Sequence, residues 1–283
     1  MITVNHNQCS GCGACAQICH QRCITLAENG GRRVARIDHA LCSTCAQCAA
    51  ICPRRALSWE GAPAAPFEGE RMPGAAQLDE LFKQRRTIRR FEEKGIDRAL
   101  LLEIAGYGGY APTNHYALRA IAVNDPALME GMDRAIMRLV SRVYNLVYRP
   151  PLVPGLLGAV TPLVDAKQGA KLKQGLKEGR AFVTLPAAII LIVGDGRILL
   201  ARESAQYALY NMILYAQALG IGSRINGAGP IALDKSRAVR AALSLSRREH
   251  ILAALELGYP AVRFRNKVEG KEMSVQWNGG KEQ

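Results

Sequence analysis

Nine cysteines carry the first chemical signal, at positions 9, 12, 15, 19, 23, 42, 45, 48 and 52, all in the first fifth of a 283-residue chain. Eight of them form two runs of one spacing: Cys9-x2-Cys12-x2-Cys15-x3-Cys19 and, 33 residues later, Cys42-x2-Cys45-x2-Cys48-x3-Cys52. A short apolar segment trails each run, Cys23-Ile24-Thr25-Leu26 and Ala56-Leu57-Ser58-Trp59, so the region is an internal duplication. Thiolates at this density are ligands for soft metal centres, and both iron–sulfur clusters and structural zinc use them. Zinc sites commonly place two cysteine pairs far apart, so two complete four-cysteine runs in tandem favour clusters. A disulfide framework would spread its cysteines along the chain.

A second constellation begins at Arg85-Arg86-Thr87-Ile88-Arg89-Arg90-Phe91. A hydroxyl among fixed cationic forks suits a phosphate monoester that accepts bidentate hydrogen bonds, although such a run alone is also an ordinary solvated basic face. Three further segments follow in order: Tyr110-Ala111-Pro112-Thr113-Asn114, Gly220-Ile221-Gly222-Ser223-Arg224-Ile225-Asn226-Gly227, and Leu257-Gly258-Tyr259-Pro260 with Arg263, Arg265 and Lys267 behind it.

The elements that must position these residues are legible in outline. A Gly/Pro/Ala stretch after Trp59 reads as a linker over 61–77, separating a unit of residues 1–60 from one of 78–283. Helical spacing marks Ala76–Arg85 and Asp97–Tyr107, and alternation marks Ala117–Val123 as a strand. Ala181–Val193 reads as a central strand, Ile251–Gly258 as another, and Glu203–Leu219 as a helix apolar almost all round. The basic segment at about 125–180, of helical character, is read as an insertion, and residues 260–277 have too little pattern to assign. The apolar run at 181–193 is too short to cross a bilayer, and the first residues lack the pattern of a secretory leader, so a reducing cytoplasm is expected. The formal charge of +13 favours acidic or anionic partners. Nucleic acid is the weakest of these, because neither a helix-turn-helix nor an aromatic platform is present.

Residues 1–60 resemble the bacterial two-4Fe-4S ferredoxins, and Cys52-Pro53 carries that family's following proline. The resemblance implies crossed ligation: Cys9, Cys12, Cys15 and Cys52 for one cluster, Cys42, Cys45, Cys48 and Cys19 for the other. His20 stands where the family has its first proline, and Cys23 is read as a buried, inert thiol. Across about residues 78–277 the ordered segments resemble the FMN-dependent nitroreductases, whose fold is an α+β sheet with surrounding helices. The whole is therefore expected to be a ferredoxin-like domain followed by a nitroreductase-like α+β flavin domain.

Carried over position by position, the second resemblance assigns Arg85, its neighbour Arg86 and Thr87 to the flavin phosphate and ribityl chain, and Arg89 to the N1/O2 edge. Pro112, Thr113 and Asn114 match the loop beside the isoalloxazine, Ile225, Asn226 and Gly227 the backbone at N5, and Arg265 with Lys267 a C-terminal phosphate clamp. Glu203 matches an acid near the start of the long helix, a place the helix dipole also favours. The family's Asn-x-Gln-Pro-Trp is replaced by Asn114-His115-Tyr116-Ala117-Leu118-Arg119, so nitroaromatic turnover does not follow.

The implied function is electron relay through two 4Fe-4S clusters to FMN, which reduces a small organic acceptor; the alternative is an electron-transfer or flavin-binding protein without turnover. A homodimer through the flavin domain is implied. An acidic ferredoxin or flavodoxin is the expected donor, with NAD(P)H the competing route, because residues 1–60 hold six arginines against three acids. The 125–180 insertion, with its Leu139–Val164 stretch, is expected to be a lid or wall over the substrate face, with contact of its apolar residues with a membrane surface or a partner as the alternative.

Overall fold

The computed structural model describes residues 1–112, 118–158, 161, 164–181, 185–268 and 273–278. The cysteine runs fold as two equivalent halves. β1 (Ile2–Val4) pairs antiparallel with β4 (Leu57–Trp59), which also pairs with β5 (Ala62–Pro63). A hairpin of β2 (Ile24–Asn29) and β3 (Arg32–Ile37) turns through Gly30-Gly31. Two five-residue helices, α1 (Ala14–Ile18) and α2 (Gln47–Ile51), sit within the runs.

The 33-residue repeat persists in backbone detail. The Asn5 amide donates to the Ala56 carbonyl (2.7 Å) and the Asp38 amide to the Cys23 carbonyl (2.8 Å), so each half closes upon the other. Left-handed backbone recurs at Gly11 and Thr44, Gly13 and Ala46, Arg22 and Arg55. Glycine takes this conformation freely, whereas threonine and alanine are strained in it. The second half therefore carries strain that the first avoids.

The second unit is built on a four-stranded antiparallel sheet in the order β6 (Arg119–Val123), β7 (Ala188–Asp195), β9 (Glu249–Gly258), β8 (Gly222–Ile225). α3 (Ala75–Gln84) leads into it. Against one face pack α4 (Arg98–Gly106) and α8 (Ala201–Ala218), burying Ile190, Ile192, Leu209 and Met212. Against the other pack α5 (Pro126–Val143), α9 (Gly229–Asp234) and α10 (Arg237–Ala242), burying Met132, Ile136, Leu191 and Leu233. α6 (Val153–Gly158) and α7 (Ala166–Glu178) complete the 125–180 segment.

Three details depart from the sequence reading. β7 begins at Ala188 rather than 181, since Pro186 cannot donate to a central ladder. α8 buries Ala205, Ala208, Leu209, Met212 and Ile213 but exposes Tyr207 and Tyr210, so it has an outer aromatic face. α5 belongs to the core: Met129, Met132, Ala135 and Ile136 repeat at helical spacing and are buried. The 125–180 segment is thus not a single appendage.

The Arg-rich segment 85–91 is held along the sheet edge. The Ile88 amide donates to the Ser223 carbonyl (2.9 Å) and the Ala261 amide to the Arg90 carbonyl (3.0 Å). Gly222 and Gly258, opposite one another in the β8–β9 register, make room for it. A Cβ on Gly222 would stand 2.8 Å from Ile88, and one on Gly258 2.6 Å from Phe91.

Candidate cofactor sites

Each short helix buries its one cysteine, Cys15 or Cys48. A cavity is lined by Cys42, Cys45 and Cys48 of the second run together with Cys19 of the first, with Ile2, Ile24 and Ile37 as apolar walls. On the other side, burial raises the Cys15 thiol and the neighbouring Cys9 and Cys52 add to the effect, so a second-run cysteine stands among first-run ones. Burial pushes Cys48 up to about 11, helped by Cys45, Cys15 and Cys42. Among the described residues no three His, Cys, Asp or Glu side chains converge tightly enough to hold a single metal ion.

Backbone amides point at the sulfurs. Ala35 donates to Cys9 Sγ (3.5 Å), Thr44 to Cys42 Sγ (3.4 Å) and Ala56 to Cys52 Sγ (3.3 Å), while the Ala14 amide holds Cys12 below the usual thiol range. All-thiolate donors with N–H groups on the sulfurs fit an iron–sulfur cluster, whose charge such donors stabilise. Cys23 lies against this set, its Sγ 3.4 Å from Cys19 Sγ, and burial pushes it up to about 12 with Cys19 and Cys42 nearby. His20 is exposed at the rim of the same cavity.

In the second unit a cleft of about 890 Å³ opens where α3, the end of α8 and residues 260–267 meet. That size suits a cofactor. Arg86, Arg265 and Lys267 line it, together with Lys83 and Arg263. Glu80 provides the local counter-charge, 3.4 Å from Lys267 Nζ, and Gln84 and Lys267 hold its carboxyl below the usual range. Arg86 is fixed by bonds from Nη1 to the Lys83 and Arg85 carbonyls (2.5 and 2.9 Å). Arg85 itself caps α3 and is outside the cleft lining, Thr87 bridges to Ser223, and Arg89 is exposed. A cluster of cations around a cleft, Arg86 among them held by backbone carbonyls, fits a phosphate-bearing cofactor.

Of the loop expected beside the isoalloxazine, Pro112 is exposed, while Thr113 and Asn114 lie outside the described residues. Ile225 and Gly227 are exposed at the end of β8 and Asn226 between them is buried. Asn226 Nδ2 donates to Glu256 Oε1 (2.8 Å), and its Oδ1 accepts from the Gly229 amide (2.7 Å). Glu203 is exposed in the first turn of α8.

Sequence reasoning missed Lys83 and Glu256. A lysine on an exposed-looking helix gives no signal of its own, but a carboxylate inside the apolar run Ile251–Gly258 was visible as an anomaly.

Comparison with known proteins follows the same division. Residues 82–259 match the nitroreductase family, and residues 8–56 match the family described as a 4Fe-4S dicluster domain. Arg265 and Lys267 lie beyond the first match. No curated protein shows significant sequence similarity to the chain. Among solved structures, a nitroreductase with bound FMN from Desulfitobacterium hafniense DCB-2 aligns with TM-score 0.54 at 17% identity, over 72% of this chain and 100% of that one. One from Bacteroides fragilis NCTC 9343, also with bound FMN, gives 0.51 at 19%, over 71% and 99%. An oxidized iodotyrosine deiodinase bound to FMN and 3-iodo-L-tyrosine gives 0.52 at 21%, again over 71% and 99%. At these identities the likeness is one of fold.

Proposed function

The chain belongs to the nitroreductase family and carries a ferredoxin-like 4Fe-4S domain ahead of the flavin fold, and from that premise we propose that it relays electrons through two 4Fe-4S clusters to FMN for the reduction of a small organic acceptor. The observation that carries this reading is the joining, in one chain, of two crossed thiol sets to a cleft lined by cations. When bound, FMN supplies the conversion between single-electron and two-electron transfer.

The chain's own groups divide the remaining work. Arg86, Arg265 and Lys267 supply charge for the phosphate, with Arg85 and Thr87 assigned there by family resemblance. Arg89 is placed by the same resemblance at the N1/O2 edge, where a fixed cation favours an anionic reduced ring. The backbone of Ile225, Asn226 and Gly227 is assigned by the same resemblance to the N5 side. Cys9, Cys12, Cys15 and Cys52 would hold one cluster, and Cys19, Cys42, Cys45 and Cys48 the other.

The exposed Tyr207 and Tyr210 on α8 support a homodimer through that helix. Six arginines against three acids in residues 1–60 support an acidic protein donor, whose capture such a surface accelerates. No helix among the described residues is long and apolar enough to cross a membrane.

Anaerobic isolation tests the cofactor content, with about eight iron and eight sulfide per chain expected for two cubane clusters, together with FMN. Stopped-flow reduction by a reduced acidic ferredoxin, compared with NADH and NADPH in wild type and Cys42→Ser, tests the route. Fast, salt-sensitive flavin reduction by the ferredoxin that is lost in Cys42→Ser is expected. Rapid nicotinamide reduction unaffected by cluster loss would reject the relay, and a reduced flavin that no organic acceptor reoxidises would reject turnover.

A further inference from the structure

Glu256 sits in the middle of the sheet, on the face covered by α5 and α9, with no exposed surface (0%). Its strand neighbours are Ile189 of β7 and Arg224 of β8. A carboxylate so placed is costly unless every oxygen is satisfied, and one of these is not. Oε1 accepts from Asn226, whereas Oε2 has no hydrogen-bond partner among the described residues and faces Arg224 Nη1 at 3.4 Å. Among the described residues the other acid acting on it is Asp133 of α5, which is engaged with the Ala181 amide at 2.9 Å.

What this expensive group holds is specific. Asn226 uses one end of its amide on Glu256 and the other on the Gly229 amide at the start of α9, and its own N–H donates to the Ala254 carbonyl (3.0 Å). Released from Glu256, the Asn226 amide would be free to rotate and would lose its grip on Gly229. Gly229 leaves little slack, since a Cβ there would stand 3.1 Å from Asn226 Cγ and 3.3 Å from Ala254 Cβ.

We infer that Glu256 is a positioning residue: through Asn226 it fixes the turn from Ile225 to Gly229, and with it the Asn226–Gly227 peptide offered to the flavin. This rests on the flavin reading for its purpose, though not for its geometry. A neutral carboxamide of the same shape preserves the acceptor for Asn226 Nδ2, and an apolar residue of similar volume removes it.

The experiment compares wild type, Glu256→Gln and Glu256→Leu as full-length, cluster-loaded proteins. Amide hydrogen exchange at Gly229 and the dissociation constant for FMN are read in each. Glu256→Gln is expected to match wild type in both. Glu256→Leu is expected to exchange Gly229 about tenfold faster and to bind FMN about tenfold more weakly, the scale of one lost hydrogen bond. Amides of β7 and β9 should keep their protection in it. Unchanged exchange at Gly229 in Glu256→Leu, loss of protection throughout the sheet, or a Gln variant as impaired as Leu would each overturn the assignment. If the Leu variant does not fold, Asn226→Ala replaces it, with the same weakening of FMN expected and wild-type affinity overturning the assignment. Wild type that takes up no FMN would refute the flavin reading alone, because Gly229 exchange still decides whether Glu256 holds the turn.

Discussion

Cys23 Sγ lies 3.4 Å from Cys19 Sγ, and 33 residues further on the equivalent place is occupied by Ala56. The two thiol sets are therefore unequal in a duplicated frame. Cys52 accepts from the Ala56 backbone amide just as Cys19 accepts from that of Cys23, so the neighbouring thiol is what sets Cys19 apart. A thiol donating to a ligand sulfur stabilises the more negative, reduced cluster and raises its potential. Cys23→Ala is expected to lower the potential of the Cys42 cluster by on the order of tens of millivolts and leave the Cys9 cluster unmoved. Potentiometric titration followed by electron paramagnetic resonance reads both, and a shift confined to the Cys9 cluster would contradict the geometry.

Crossed ligation makes a sharper claim. Cys52→Ser is expected to damage the cluster built on Cys9, Cys12 and Cys15, and Cys19→Ser the one built on Cys42, Cys45 and Cys48. Each variant should fall from about eight iron atoms per chain toward about four. If Cys52→Ser instead removed the spectrum assigned to the Cys42 cluster, the crossing would be wrong.

Backbone strain in the second half predicts an easy gain in stability. Ala46 has φ 59° at the place where the first half uses Gly13. Ala46→Gly is expected to stabilise the ferredoxin unit by about 0.5–1 kcal/mol, because the left-handed strain relieved exceeds the entropy that glycine adds. The reverse change at Gly11 should be damaging, since a Cβ there would stand 2.4 Å from the Arg33 carbonyl oxygen. Thermal bleaching of the cluster absorbance compares the two, and an Ala46→Gly variant that bleaches earlier than wild type would disprove the account.

What could be read from the chain was what is local. Cysteine spacing is a ligand geometry written directly in sequence, and the duplication survives down to paired hydrogen bonds such as Asn5 to Ala56 and Asp38 to Cys23. Strand β9 and helices α3, α4 and α8 carry their own periodicity and were visible within a few residues of their ends. The helical character of α5 was legible within the basic 125–180 segment, but its place in the core was not, because Arg134, Arg138 and Arg142 recur along it and the Met129, Met132 and Ile136 stripe shows only once the helix is wound. The choice of Arg86 over Arg85 at the cleft depends on how the chain leaves α3 and lies against Gly222, which is a tertiary contact. Glu256 was visible as a charge in an apolar strand, but Arg224 and Asn226 become its partners only through the β8–β9 register.

That buried carboxyl also has a signature in solution. Burial pushes Glu256 up to about 7, against the opposing pull of Arg224 and Asn226. Below about pH 4.5 it is protonated in both folded and unfolded chains. Between there and about 7 the folded chain keeps a proton that the unfolded chain has released, so stability falls as pH rises through this window and levels off above it. The full difference is roughly 3 kcal/mol, the scale set by a shift of this size. Glu256→Gln, which has no proton to lose, should flatten this part of the profile, and the gap between the variant and wild type should widen from pH 5 to pH 7.5. Calorimetric melts of the FMN-free, full-length protein at a series of pH values measure it. A wild type that gained stability relative to Glu256→Gln as pH rose over that range would show that Glu256 is held as a stabilised anion, and the picture of a carboxyl kept neutral by burial would have to be abandoned.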